Sequence, residues 1–544
     1  MPRHRSLEEK ELAMSQFQVY DTTLRDGAQQ EGMNVSVADK LEIAALIDRL
    51  GVGFIEGGWP GAIPKDTEFF KRAARELPLV NATLAAFGAT RKAGLLAQQD
   101  PQVRALLEAE TPVITLVAKS DIRHVEKALK TTPEENLAMI RDTIAYLVSQ
   151  DRRVFLDAEH FFDGYRFNPD YTLACVAAAH EAGAEVVVLC DTNGGMLPPW
   201  ISQIIAATTE AVPSANLGIH CHNDTGCAVA NTMAAVAAGA MQVQGTINGY
   251  GERTGNADLP VIGPNLLLKL DLPVIATEKL AELTGTAHAI AEITNIAPQA
   301  RQPYVGQSAF AHKAGLHASA IRVDPDMYQH TDPMLVGNDM RMLVSEMAGR
   351  ASIELKGKEL GFDLAGEASV LTTLTEKVKQ LEAVGYTFDA ADASFELLLR
   401  DALGELPVYF RVESWRTISE ATSQEPAASL PGLSEATVKL HAGGRRFVAT
   451  GEGNGPVNAL DAALRLALIE VYPELAGIEL VDYKVRILAT TRGTDAITRV
   501  LIESTDGTQV WGTVGVGANI IEASWQALTE ALVYGLIHSG VAVR

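Results

Sequence analysis

Between residues 17 and 285 short apolar runs alternate with longer stretches whose hydrophobic positions recur at helical spacing. The runs are FQVYD (17–21), GFIEG (53–57), NATLAAF (81–87), PVITLVA (112–118), RVFLDA (153–158), EVVVLCD (185–191), LGIHCHN (217–223) and MQVQGTI (241–247). Each has the length of a strand, and each is followed by enough chain for a helix. Eight such units in roughly 250 residues predict a (β/α)8 TIM barrel. A doubly wound open sheet is the competing arrangement. It would ordinarily carry a glycine fingerprint after the first strand, and DTTLRDGAQQ is not one.

Beyond the barrel the pattern changes. Residues 286–402 read as mainly helical, with loops PYVGQSAFAHKAGLHASA and MYQHTDPMLVGN. A new pattern starts near VYFRVESWRTI (408–418) and is broken by SEATSQEPAASLPG (419–432), which has the composition of an exposed connection. An internal repeat follows. KLHAGGRRFVATGEGNGPVNALDAALRLAL lines up with LIESTDGTQVWGTVGVGANIIEASWQALTEAL, so that Gly451, Gly453, Ala459, Ala463 and Leu464 match Gly515, Gly517, Ala523, Ala527 and Leu528. Each copy predicts two strands, a Gly-rich turn and a helix, and two copies together predict a compact pseudo-symmetric α/β domain. The glycines suit tight turns or a ligand site equally. The expected organisation is an N-terminal extension at 1–16, a barrel at 17–285, helical linker or lid subdomains at 286–402 and a C-terminal α/β domain at 403–544.

Length agrees with this division, since 544 residues exceed what one hydrophobic core serves. With 47% hydrophobic and 21% charged residues the chain is of the folded globular kind. Its 45 Lys and Arg against 68 Asp and Glu leave a net charge of −23, which argues against a general nucleic-acid binder. The four cysteines show no paired spacing, and three lie in apolar stretches, so buried reduced thiols are expected rather than disulfides. The first sixteen residues have charge but no apolar core, and no run approaches the roughly 20 apolar residues of a membrane span. A cytoplasmic protein without a membrane partner is the expectation.

The candidate chemistry gathers at strand ends. His220 and His222 are two apart on the seventh run, so both imidazoles can face one ion while Cys221 faces away. An isolated HxH is weak, but the C-terminal end of a barrel strand is where TIM-barrel active sites gather. Asp26 follows the first strand at the same face. Alone it would read as a turn cap; with the two histidines it completes a carboxylate and two imidazoles suited to a catalytic divalent ion, with Asn256 in GYGERTGNAD as a further oxygen ligand or neighbour. Arg25 can pair with a carboxylate or an enolate oxygen, and Glu56, ending strand two, would face it across the mouth. Glu159 and Thr192 sit at the same rim, where each alone could be a cap or a loop hydrogen bond.

DTTLRDGAQ, the strand-two Glu56, HCHND and GERTGN together resemble the DRE-TIM metallolyases. Within that superfamily, a barrel, a helical segment and a repeated C-terminal domain resemble the 2-isopropylmalate, homocitrate and citramalate synthases. EGGWPGAIPKDTEFF, AFGATRK, EHFFDGY and DTNGG look most like the citramalate branch. Two positions depart from that pattern, Ile63 where an Asn is expected and Asp121 where a Trp is expected. The resemblance implies a divalent metal (Mg2+, Mn2+ or Zn2+) on Asp26, His220, His222 and Asn256, acetyl-CoA as co-substrate and pyruvate as the oxo acid. It implies substrate contacts from Arg25, Thr192 and Asn193, with Arg25 and Glu56 in the catalytic group. It also implies a base at His317, with His312 as the neighbouring alternative, and assistance from Tyr328 and Glu159. A homodimer is implied in which the helical segment lids the partner's barrel, with isoleucine as feedback effector on the C-terminal domain. The competing activities are condensation of a larger oxo acid, cleavage by a lyase of the same superfamily, and a non-catalytic amino-acid sensor. Retention of Arg25, Asp26, His220 and His222 speaks against the sensor, and the C-terminal repeat against the lyase.

Overall fold

The computed structural model describes residues 17–345, 347–364, 366–419, 434–488 and 496–544, so the expected extension at 1–16 and all but Ser419 of the 419–432 connection lie outside the described residues. By packing, the chain forms two units, one of residues up to 310 with 331–339 and one of 311–330 with 340–544.

The first unit is a closed parallel barrel of β1 (Gln18–Asp21), β2 (Phe54–Glu56), β3 (Thr83–Ala89), β4 (Val113–Lys119), β5 (Arg153–Glu159), β6 (Val186–Asp191), β7 (Leu217–Cys221) and β8 (Gln242–Gly245). Each sequence run supplies one strand. The barrel closes through β1 and β8, in register from Gln18 opposite Gln242 to Asp21 opposite Gly245. The outer helices start where the sequence signals them. Ser36 and Asp39 form a capping box on Val37–Leu50, and Pro64, Pro101, Pro133, Pro169 and Pro198 each open a helix at a position where a missing N–H costs nothing. Ile63 precedes Pro64 without a side-chain cap, whereas the buried Asp121 caps its own turn and pairs with Arg123.

The barrel interior has two characters. Tyr20, Phe54 and Phe155 pack ring against ring at 5.3–5.9 Å with Ala85, Val113, Val186 and Val188 around them. Other inward positions are polar and buried: Thr115, Asp157, His220, Gln242 and Gln244. The helix Leu283–Thr294 packs Leu283, Ala287 and Ile290 into the same core as the barrel, and Val305, Phe310 and Val336 join it. The grouping by packing therefore runs past 285 and differs from the division read from the sequence, because apolar contact follows helix faces rather than the end of the strand pattern.

In the second unit, two short strands, β9 (Ala311–His312) and β10 (Arg341–Met342), pair in parallel. The helices Arg350–Glu359, Ala368–Ala383 and Asp392–Leu403 share an apolar cluster with Val514. Two antiparallel three-stranded sheets follow, β11 (Phe410–Ser419), β12 (Ser434–Ala442) and β13 (Arg445–Gly453), then β14 (Glu479–Ile487), β15 (Thr498–Thr505) and β16 (Val510–Gly517). The helices Pro456–Leu468 and Ile520–His538 complete the two copies. Each copy thus has a third, leading strand that the repeat alignment did not include. Of the matched glycines, Gly451 and Gly515 are explained by close approach rather than by turns: a Cβ on Gly451 would meet Ala463 N at 2.4 Å, and one on Gly515 would meet Ala523 O at 1.9 Å.

Glu530 joins three elements here. Ser394 Oγ donates to its carboxyl and accepts from Val514 N at 2.9 Å. Removal from water raises the Glu530 carboxyl to about 7, against the lowering effect of Ser394 and Gln526. An unfolded Glu ionises near 4.5, so folding is penalised increasingly as pH rises from there through about 7. Glu530→Gln should therefore melt above the wild type at pH 8, by up to about 3 kcal/mol, and converge with it below pH 4.5. Melting curves across that range check it; equal Tm at pH 8 would refute it.

Candidate active site at the barrel mouth

The loop DTTLRDG is pinned by its own threonines. Thr23 N and Oγ1 donate to the two carboxylate oxygens of Asp21 at 2.9 and 2.8 Å, while Ile247 N donates to Thr23 Oγ1 and Thr22 Oγ1 to Gly245 O. β1 is thereby fastened to the end of β8, and Arg25 and Asp26 emerge over the barrel axis.

Arg25 is held on three sides. Its Nε donates to Glu56 Oε1 at 2.5 Å, Nη1 lies 3.4 Å from Asp26 Oδ2, and its Cζ lies 3.8 Å over the Phe87 ring. The other Glu56 oxygen accepts from Tyr20 Oη at 2.7 Å, and Tyr20 also bonds Thr115 at 2.6 Å. Burial works against the Arg25 charge, but Glu56 and Asp26 outweigh it and keep the guanidinium protonated.

Asp26 Oδ2 lies 3.3 Å from His220 Nε2 and 3.9 Å from His222 Nε2. Among the described residues these three buried side chains are the cluster whose ligand atoms lie within 4.8 Å of one another, as an ion requires. His222 falls just past β7 and joins Asn256 through a single bridge, so the expected strand alternation ends one residue early, yet the two rings still meet at 5.2 Å between centroids. Asn256 donates to Tyr250 O and leaves Oδ1 buried without a hydrogen-bond partner. A buried orphan oxygen beside a carboxylate and two imidazoles fits a divalent cation. Burial would raise Asp26, but Arg25 and His220 hold its carboxyl well below the usual range; burial and His220 push His222 down to about 4.

The remaining rim residues are more dispersed. Glu159 pairs with Lys119, and His160, in a left-handed backbone conformation (φ 57°), donates its N–H to Thr192 Oγ1 at 2.8 Å. Arg253 clamps Thr192 O and Asp224. Asn193 is exposed and donates to Asp163 rather than into the mouth. The cavity, 630 Å3 in volume, is lined by Arg25, Asp26, Glu159, Thr192, His220 and His222, and also by Asp157, Trp59, Phe87 and Arg253. Sequence reading passed over Asp157, although it stands two before Glu159 and hence on the same face of β5. Gln244 was missed likewise; polar residues alternating within a buried strand, as in MQVQG, were the available signal. His317 and Tyr328 belong to the other unit, where their rings stack at 4.0 Å, with His312 at 5.9 Å from His317.

Comparison with known proteins is consistent along the chain. Residues 16–287 match the family described as HMGL-like, 304–385 the homocitrate synthase post-HMGL domain-like family, and 389–536 the LeuA allosteric (dimerisation) domain. An (R)-citramalate synthase of Streptomyces coelicolor is 62% identical over 97% of this chain and 98% of its own length. One from Synechocystis is 51% identical over 95% and 96%. A 2-isopropylmalate synthase of Pyrococcus furiosus is 30% identical over 95% and 98%.

Removing the partner of a buried charge costs more than the pair itself contributes. Glu56→Ala, which strands both Arg25 and Tyr20, should lower unfolding stability by about 3–5 kcal/mol. Urea unfolding measures it, and a loss under 1 kcal/mol would show that Asp26 alone neutralises Arg25.

Proposed function

The chain belongs to the citramalate synthase family, and from that membership we propose how its residues divide the work. The reaction is a Claisen-type condensation of acetyl-CoA with pyruvate, followed by thioester hydrolysis to citramalate and CoA, an entry to isoleucine biosynthesis. The observation that carries the assignment is the meeting of Asp26, His220 and His222 beside an Arg25 fixed by Glu56 at one end of the cavity.

Mg2+, Mn2+ or Zn2+ held by Asp26, His220 and His222, with Asn256 Oδ1 as a further oxygen donor, would polarise the ketone of the oxo acid as a Lewis acid. Arg25, unable to rotate away from Glu56, places fixed positive charge where the ketone oxygen becomes anionic. Thr192 accepts from His160 N–H, which leaves its own hydroxyl hydrogen for the acid's carboxylate, with Asn193 as its neighbour in that role. His317, stacked on Tyr328, takes the proton from the acetyl methyl group, and Glu159 assists the transfer. By resemblance to the synthases, His317 and Tyr328 reach the mouth from a second copy of the chain, and the LeuA-type domain supports a homodimer.

The same domain is the proposed receptor for isoleucine. A 660 Å3 cavity beside the helix Pro456–Leu468 has aliphatic walls from Ile478, Leu480 and Leu528 and an Asp461–Arg465 ion pair, which suits a zwitterion with a branched side chain. Feedback requires that isoleucine bind two states of the enzyme unequally. Among the described residues no helix is long and apolar enough to cross a membrane, and a cytoplasmic location is proposed.

One assay tests substrate, metal and effector together. Free-thiol release from acetyl-CoA should be fastest with pyruvate, weaker with 2-oxoisovalerate or 2-oxoglutarate, lost after exhaustive chelation, and lowered by millimolar isoleucine. Preference for a larger oxo acid, activity without metal, or indifference to isoleucine would each remove the corresponding assignment. A second experiment mixes inactive His220→Ala with inactive His317→Ala after confirmed subunit exchange. Sites shared between copies should restore part of the activity, since some mixed dimers carry one intact site. No recovery, while wild type survives the same treatment, would mean that each copy supplies its own His317.

A further inference from the structure

Gln244 lies between two groups that dictate which way its amide points. Its Nε2 donates to Asp157 Oδ1 at 3.0 Å, and its Oε1 lies 3.0 Å from His220 Nδ1. All three side chains are buried, so no water competes for these positions. Asp157 Oδ1 takes the NH2 end of the amide, which leaves the carbonyl end to His220. The orientation is set a second time from the opposite end of the barrel. Gln244 Nε2 also lies 3.5 Å from Gln242 Oε1; Gln242 Nε2 donates to Gln18 Oε1 at 2.7 Å, and Gln18 Nε2 to Glu185 Oε1 at 3.4 Å. Glu185 in turn is held by Arg153 at 2.6 Å. Every amide in this chain donates toward a carboxylate and accepts from the side of the mouth.

The consequence falls on His220. Facing a carbonyl oxygen, Nδ1 must carry the hydrogen, and a neutral imidazole then has its lone pair on Nε2, the atom aimed at Asp26. We propose that Gln244, oriented by Asp157, is a positioning residue that holds His220 in the ring orientation and tautomer in which Nε2 ligates a divalent cation. This rests on the proposed metal role of Asp26, His220 and His222. A hydrogen bond to the far nitrogen of a ligating imidazole fixes the ring and raises its basicity, so its loss weakens metal binding about 10- to 100-fold. Packing alone does not call for an amide at this place; an apolar side chain of similar length would fill the same space without two buried hydrogen bonds to satisfy.

The test is titration of the metal-stripped full-length protein with Mn2+, following the electron paramagnetic resonance signal of the free ion. Wild type should bind one Mn2+ and His222→Ala should not; failure of either result overturns the metal reading, independently of Gln244. Given that control, Gln244→Met should raise the Kd about 10- to 100-fold, whereas Gln244→Glu, in which one oxygen still accepts from Nδ1–H while a proton shared between its other oxygen and Asp157 replaces the lost N–H, should stay within about threefold of wild type. That rescue separates orientation of His220 from a packing role, which both substitutions would disturb alike. If Gln244→Met does not fold, Gln244→Asn replaces it with the same expectation, since the shorter amide cannot span Asp157 and His220 together. A Kd within twofold of wild type for Gln244→Met, or equal weakening by the Met and Glu substitutions, would overturn the proposal.

Discussion

The guanidinium of Arg25 sits where water hardly reaches, and the barrel mouth is organised around that charge. An isolated buried cation is very unfavourable, so the fold must deliver compensating carboxylates from separate strands. Glu56 comes from β2 and Asp26 from the loop after β1, and the Phe87 face from β3 covers the third side. Each of those groups then acquires a duty beyond neutralising Arg25. Glu56 also ties down Tyr20, and Asp26, held ionised by Arg25, stands ready between two imidazoles. The ion pair therefore couples the rigidity of the barrel top to the chemistry that the top performs.

A second consequence is that the interior of this barrel is not uniformly apolar. Aromatic and aliphatic side chains fill part of it, while other inward positions carry amides, carboxyls and imidazole in a hydrogen-bonded series that runs from Gln18 and Gln242 at the strand starts to Gln244, Asp157 and His220. Such a network is worthwhile only if nearly every member is satisfied, because an unpaired polar group in that environment is costly. The atoms left over are informative for that reason. Asn256 Oδ1 lacks a partner, and Asn256 is bridged to His222, one of the three candidate ligands.

The second unit solves a different problem with a repeated device. Two three-stranded sheets each receive a helix so close that the strand must carry glycine at the crossing, at Gly451 and again at Gly515. What looked in the sequence like a choice between turn glycines and ligand glycines is a packing requirement. The cavity of aliphatic and ionic character lies beside the first of these helices, lined by Asp461, Arg465, Ile478, Leu480 and Leu528.

Much of this was legible beforehand. Eight apolar runs at barrel spacing marked all eight strands to within a few residues, since a strand buried on both faces must be apolar for most of its length. Asp26, His220 and His222 could be grouped because TIM barrels bring strand ends to one face. The helix starts at Pro64, Pro101, Pro133, Pro169 and Pro198 have a local cause too, one that the strand pattern alone did not draw on. Other features were decided only in three dimensions. Asp157 and Gln244 carry no motif, and their importance comes from meeting across the barrel, 87 positions apart. The leading strands β11 and β14 lay outside the repeat because pairing with a neighbour, rather than likeness between copies, makes them strands. Periodicity records which face of an element is buried; it does not record which partner from a distant element will occupy that face, and hydrogen-bond direction, ion pairing and the tautomer of His220 all depend on that partner.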